Sequence, residues 1–164
     1  MKSRTFLVAA LVWGGLGSGF ATPAHAASDK ARLSGLSDVA FGLITATTDQ
    51  SSSQSVCAYS SSATGGYSVT AVGSGTGGAF TLASPAANMP YDVLWSDTAS
   101  QTGGTALVAG VAQPGFTSLA SQQSCGGSSV PTSASLTVVI RSASLTSAGA
   151  GDYTGTLQIT IAPE

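Results

Sequence analysis

Apolar and polar residues alternate with a period of two in a series of short stretches, the pattern of strands that bury one face and wet the other. Near the C-terminus Leu157, Ile159 and Ile161 alternate with Thr156, Gln158 and Thr160, and Tyr153 falls on the aliphatic face. Pro163 has no N–H for a ladder, so pairing is predicted to end there. Leu136, Val138 and Ile140 form another alternation, with Val139 and Arg141 on its opposite side. Tyr91, Val93 and Trp95 share a face after Pro90, and residues 56–61 and 67–72 alternate on either side of Gly65-Gly66. Val39, Phe41 and Leu43 predict a first strand over residues 36–44, followed by a polar loop over 47–55; shorter strands are predicted over 79–84 and 105–111. Leu145 is expected to cap the core below a turn at 147–151 that feeds the last strand.

No helical period interrupts this series. The expected class is therefore all-β, an antiparallel Greek-key sandwich. Glutamate and lysine are scarce while Val, Thr, Ile, Tyr and Phe recur, so essentially no helix is expected. The half-buried strand at residues 153–164 raises the question of what covers its far edge.

Lys2 and Arg4 precede a mostly apolar run from Phe6 to Phe20, followed by Pro23 and Ala24-His25-Ala26. This is the order of a secretory signal peptide, predicted over residues 1–26, with a single domain over 27–164. Glycines 14, 15 and 17 interrupt the run, which falls short of the roughly 20 apolar residues of a membrane span. Beyond residue 26, Lys30, Arg32 and Arg141 face seven acidic residues and no histidine is left. That balance argues against nucleic acid and anionic membrane surfaces as partners, and no membrane insertion is expected once the signal peptide is removed. Cys57 and Cys125 are the only cysteines. In an oxidising compartment their one possible intramolecular pairing is a disulfide, worth about 4 kcal/mol for so long a loop in the chain-entropy model.

Candidate chemistry is sparse. Without histidine there is no Ser-His or Cys-His pair, and a Ser-Lys pair would depend on Lys30 in the terminal tail. Asp92 and Asp97 fall on opposite faces of one strand, unlike a glycosidase pair. Asp38 and Asp152 read as turn formers. Gly73-Ser74-Gly75-Thr76-Gly77-Gly78 matches GxGxxG, but a strand pattern rather than a helix follows it, so a hairpin loop is the expected reading. No catalytic, cofactor or metal site is expected, and the chain reads as a non-enzyme. Trp95 has two readings, a ring platform for sugars or the core Trp of a sandwich, the second being the commoner.

Taken together, five stretches resemble one family. They are Leu36-Ser37-Asp38-Val39-Ala40-Phe41-Gly42, Ser55-Val56-Cys57-Ala58-Tyr59, Gly66-Tyr67-Ser68-Val69-Thr70-Ala71, residues 90–97, and the closing run from Gly151 to Ile161. In order and spacing they resemble the spore coat protein U domain, the subunit of archaic (Csu-type) chaperone–usher fimbriae. The resemblance implies an incomplete immunoglobulin-like sandwich lacking its last strand, exported to the periplasm and assembled at the cell surface. Its implied partners are a periplasmic chaperone, an outer-membrane usher and sibling subunits. A strand from each partner in turn would fill a groove lined by Tyr153, Leu157, Ile159 and Ile161, with Gly155 leaving space. Glu164 would set its terminal carboxylate near a basic anchor of the chaperone. The segment 27–32 departs from the family pattern: Ala31 is its best apolar anchor, so it is expected to be a poor donor strand, suited to a tip position. A tip adhesin using Trp95 or the polar stretches 48–54 and 121–129, and a self-contained secreted sandwich, are the alternative readings.

Overall fold

The computed structural model describes residues 29–45, 47–125 and 132–164; the predicted signal peptide lies outside them. Among the described residues ten strands form two facing antiparallel sheets and a small ribbon, so the all-β sandwich expected from the alternation is present. One sheet contains β1 (Ala31–Ser34), β2 (Gln50–Ser60), β9 (Ala134–Ile140), β6 (Asp92–Ser96) and β7 (Thr105–Ala106), in that spatial order. The second has the order β10 (Leu157–Pro163), β3 (Gly66–Gly73), β8 (Gln113–Thr117), and β4 (Thr81–Ala83) pairs with β5 (Asn88–Pro90) in a separate ribbon.

The core lies where the alternating faces meet. The first sheet contributes Val56, Ala58, Val93, Trp95, Leu136, Val138 and Ile140, and the second contributes Tyr67, Val69, Ala71 and Phe116. Tyr67 and Trp95 are fully buried, with their rings edge to face and their centroids 6.5 Å apart. The indole Nε1 donates to the Tyr67 hydroxyl at 3.1 Å, so neither polar tip is left unpaired in the core. Such burial pushes the Tyr67 phenol up to about 12. The same full burial rules out the sugar-platform reading of Trp95.

Every residue of β9 is buried, on both faces. On the outer face Ser135 Oγ donates to the Thr98 carbonyl and accepts from the Gln101 N–H, which holds the segment after β6 over the sheet. Also on the outer side, the Cys57–Cys125 disulfide forms as expected, with Cα atoms 5.9 Å apart. It sits in a small cluster with Ala120 and Tyr59.

Five expectations are corrected. Residues 50–55 are not loop: they form the first half of β2, paired with β9 from Gln50↔Ile140 to Val56↔Ala134. Hydroxyl and amide side chains tolerate this because the ladder is made by the backbone, and Ser53 Oγ lies 2.8 Å from Thr137 Oγ1 across it. Residues 36–44 form no strand; the first strand is β1, which ends just before Gly35 at φ +83°, where the chain leaves the sheet. The glycine loop at 73–78 is not a hairpin: it contains a 3₁₀ turn (Thr76–Gly78) and carries the chain from β3 to the ribbon. A Cβ on Gly73 would lie 2.2 Å from the Ala79 carbonyl oxygen, so close backbone approach accounts for that glycine, and no helix follows to receive a phosphate. The predicted strand at 105–111 is confined to Thr105–Ala106, beyond which the chain turns with Gly110 N–H donating to the Ala71 carbonyl.

The fifth is a short helix, α1 (Ser142–Ser147), where none was expected. Four of its six residues are Ser or Thr, which are weak helix formers, and its first N–H is capped from far away in sequence: Asp49 Oδ1 accepts from Ser142 N at 2.8 Å. Arg141 adds two ion pairs, Nη1 to Asp49 at 3.0 Å and Nε to Asp92 at 2.6 Å. The Ser142 N–H, then Arg141, hold the Asp49 carboxyl below the usual carboxylate range.

Candidate functional site

Among the described residues β3 is the only strand paired with β10, from Leu157↔Gly73 to Pro163↔Tyr67. Contrary to expectation the pairing continues past Pro163, because Glu164 N–H donates to the Gly66 carbonyl at 3.0 Å. In an antiparallel ladder the residues that exchange both hydrogen bonds alternate. The Glu164–Gly66 bond therefore places Gln158, Thr160 and Ala162 in the bonds to β3. It leaves the N–H and C=O groups of Leu157, Ile159 and Ile161 pointing to the open edge. Pro163 belongs to the outward set, so its missing N–H costs the ladder nothing.

The open edge is also where the core is thin. Tyr67, Val69 and Ala71 of the neighbouring β3 are fully buried, whereas Leu157, Ile159 and Ile161, on the same face, are only half-buried. Beside them runs a groove of about 1490 Å³. Leu136, Val138 and Ile140 of β9, Met89, Tyr91 and Leu82, and Leu145 of α1 contribute to its apolar wall.

Residues 36–45 form the opposite bank. Val39, Phe41 and Ile44 rest on the core while Leu43 stands 93% exposed. The expected alternation holds only for Val39 and Phe41 and breaks at Gly42, which sits at φ +64°, and among the described residues nothing pairs with the backbone beyond Ser37. Ser37 itself is held by a side chain: Gln54 Oε1 accepts from its N–H at 2.8 Å and from its hydroxyl at 2.9 Å, and Gln54 Nε2 donates to its carbonyl at 3.0 Å. The groove thus lies between β10 and this segment, and among the described residues neither the outer edge of β10 nor the backbone of residues 38–45 is paired.

Of the residues expected to line such a groove, Tyr153, Gly155, Leu157 and Ile159 do so. The Tyr153 hydroxyl donates to the Gly149 carbonyl at 3.0 Å. Ile161 lies on the same face but beyond the groove, packed on the core. Gly155 serves internal packing rather than an incoming side chain, since a Cβ there would lie 3.0 Å from Leu82 Cδ2, Ser74 Oγ and the Thr81 carbonyl. Glu164 turns towards β8, its Oε2 accepting from Gly115 N–H at 3.2 Å. Two features of the groove were not foreseen. One is the Ser37–Gln54 clamp, which no periodicity encodes; the other is the pair Asp38 and Asp152 on the lining.

The N-terminal segment is already in use. Ala31 to Ser34 pair with β2 from Ala31↔Ser60 to Ser34↔Cys57, and Lys30 exchanges two bonds with Ser61. Among the described residues no group of His, Cys, Asp or Glu is arranged to hold a metal ion, and no helix is long and apolar enough to cross a membrane. The polar stretch 48–54 proposed for an adhesin is mostly β2, and part of 121–129 lies outside the described residues. No family model, no curated protein and no solved structure matches this chain.

Proposed function

We propose that this chain is an exported, non-enzymatic structural subunit whose sandwich is completed by a strand from another polypeptide. The observation that carries this reading is the groove between β10 and residues 38–45: apolar side chains line it, and among the described residues the backbone facing it on either side has no partner. A single extended segment placed there would satisfy both edges and cover the half-buried faces of Leu157 and Ile159. Backbone bonds would supply affinity and alternate side chains would set register, the logic of β-augmentation.

This is the arrangement implied by the resemblance to spore coat protein U subunits of chaperone–usher fimbriae. In that setting a periplasmic chaperone, passing the chain to an outer-membrane usher, and then a sibling subunit would occupy the groove in turn. The disulfide suits an oxidising compartment on that route. Incorporation of Ala31 and Arg32 into β1 makes the chain an acceptor with little to donate, as at a fibre tip.

Amide hydrogen exchange on residues 27–164 tests the reading. In the isolated protein the amides of Leu157, Ile159 and Ile161 should exchange quickly, and those of Gln158 and Thr160 slowly. Addition of a synthetic strand of alternating valine and serine should protect the fast set. Protection of all five amides in the monomer would instead identify a self-contained sandwich.

A further inference from the structure

The carboxylates on the groove differ from those elsewhere on the molecule. Asp49 caps α1 and binds Arg141, Asp92 binds Arg141, Asp97 accepts from Thr117 N–H, and Glu164 accepts from Gly115 N–H. Asp38 and Asp152 have no hydrogen bond or ion pair among the described residues, and both line the groove. Asp29, ahead of β1, is the one other carboxylate in that condition. No lysine or arginine lines the groove. Arg141 is committed to two carboxylates, and Lys30 and Arg32 sit with β1.

From this charge pattern we infer that the groove selects a basic strand: its occupant alternates apolar side chains into the groove, carries lysine or arginine at positions that pass Asp38 and Asp152, and comes from a polypeptide other than a copy of this one. The inference rests on the strand-acceptor reading above and adds the chemistry of the partner. Side chains of an inserted strand alternate between the groove and solvent, so the intervening positions pass along the rim where the two carboxylates stand. Rim charges of this kind contribute little to affinity in high salt but discriminate between partners and speed encounter in low salt. A second copy is a poor source. Its basic residues Lys30 and Arg32 would become available only by stripping β1 from β2, which uncovers one edge to cover another.

Three peptides with the same alternating valines and with lysine, serine or glutamate between them decide the matter, titrated by fluorescence anisotropy against residues 27–164. The lysine peptide is expected to bind roughly tenfold more tightly than the glutamate peptide at about 0.02 M salt, with the gap closing at about 0.5 M. The double substitution Asp38→Asn, Asp152→Asn should abolish the gap, and an unchanged circular dichroism spectrum and urea midpoint show that the variant is folded. Equal binding of the lysine and glutamate peptides overturns the inference while leaving the acceptor groove standing. Failure of all three to bind overturns the groove reading itself. Concentration-dependent self-association that disappears when residues 27–32 are removed overturns the assignment to a different polypeptide.

Discussion

Gln54 holds Ser37 as a paired strand residue would, its side-chain amide accepting from the Ser37 N–H at 2.8 Å and donating to the Ser37 carbonyl at 3.0 Å. The clamp fixes the point where the chain, having left β1 at Gly35, starts along the groove. Gln54→Ala should cost about 1–2 kcal/mol in urea denaturation, since its three solvent-accessible bonds to Ser37 are lost together. It should also make residues 38–45 the first site of limited proteolysis. Gln54→Glu keeps the acceptor but loses the donor to the carbonyl, so it should fall between the two proteins.

The Tyr67–Trp95 pair separates a packing role from a polar one. Trp95→Ala should cost about 3–5 kcal/mol, the range for deleting a large buried aromatic side chain. Tyr67→Phe keeps the ring but leaves the buried Nε1–H of Trp95 without its acceptor, at about 1–3 kcal/mol. Both are read as a change in urea midpoint at constant slope. A midpoint for Trp95→Ala within error of the unsubstituted protein would contradict its place in the core.

Alkaline pH should weaken the fold through the same tyrosine. Burial raises the Tyr67 phenol from 10.0 to about 12, so between those values the unfolded chain gives up a proton that the folded chain retains. The sign follows: stability is full below pH 10 and falls as pH rises towards 12, by about 2–3 kcal/mol from this group. Burial shifts Tyr91 in the same direction and adds to the loss. Urea midpoints followed across this range should decline, and Tyr67→Phe should flatten the decline.

Much of this fold was legible because alternation and burial coincide. Residues 67–71, 91–95 and 136–140 each place alternate apolar side chains in the core, and the one available cysteine pairing is the one made. Pattern failed where backbone and side chain parted company. The run from Gln50 to Ser55 has no apolar residue to announce a strand, yet it pairs along its length with β9. Residues 36–44 carry a full strand pattern and are not a strand: Val39 and Phe41 pack on the core, but Gly42 at φ +64° breaks the alternation and leaves Leu43 in solvent. The helix at Ser142–Ser147 depends on Asp49, 93 residues away, and no local propensity encodes that cap. The period placed Tyr153, Leu157 and Ile159 on one face and the family resemblance implied their place in a groove, while nothing in the pattern announces the Ser37–Gln54 clamp.

The alternation of backbone direction along β10 gives the sharpest test of the open edge. Thr160 directs its N–H to β3, so Thr160→Pro removes a ladder bond and leaves a β3 carbonyl unpaired, at about 1–3 kcal/mol beyond any lost packing. Ile161 directs its N–H outward, as Pro163 would if it had one, and lies on the face opposite Thr160. Ile161→Pro should lose only part of a half-buried side chain's packing, about 1–2 kcal/mol, and remain folded. Paired with Ile161→Val as the control for lost side-chain volume, the proline variant isolates the outward N–H. If a partner strand uses that edge, Ile161→Pro should weaken binding of the alternating peptide several-fold while Ile161→Val does not. If the two bind alike, the partner takes no bond from Ile161, and any it takes from β10 come from Leu157 and Ile159 within the groove. If Thr160→Pro proves milder than Ile161→Pro in the absence of peptide, the phase of the ladder is reversed and the outward edge belongs to the even-numbered residues.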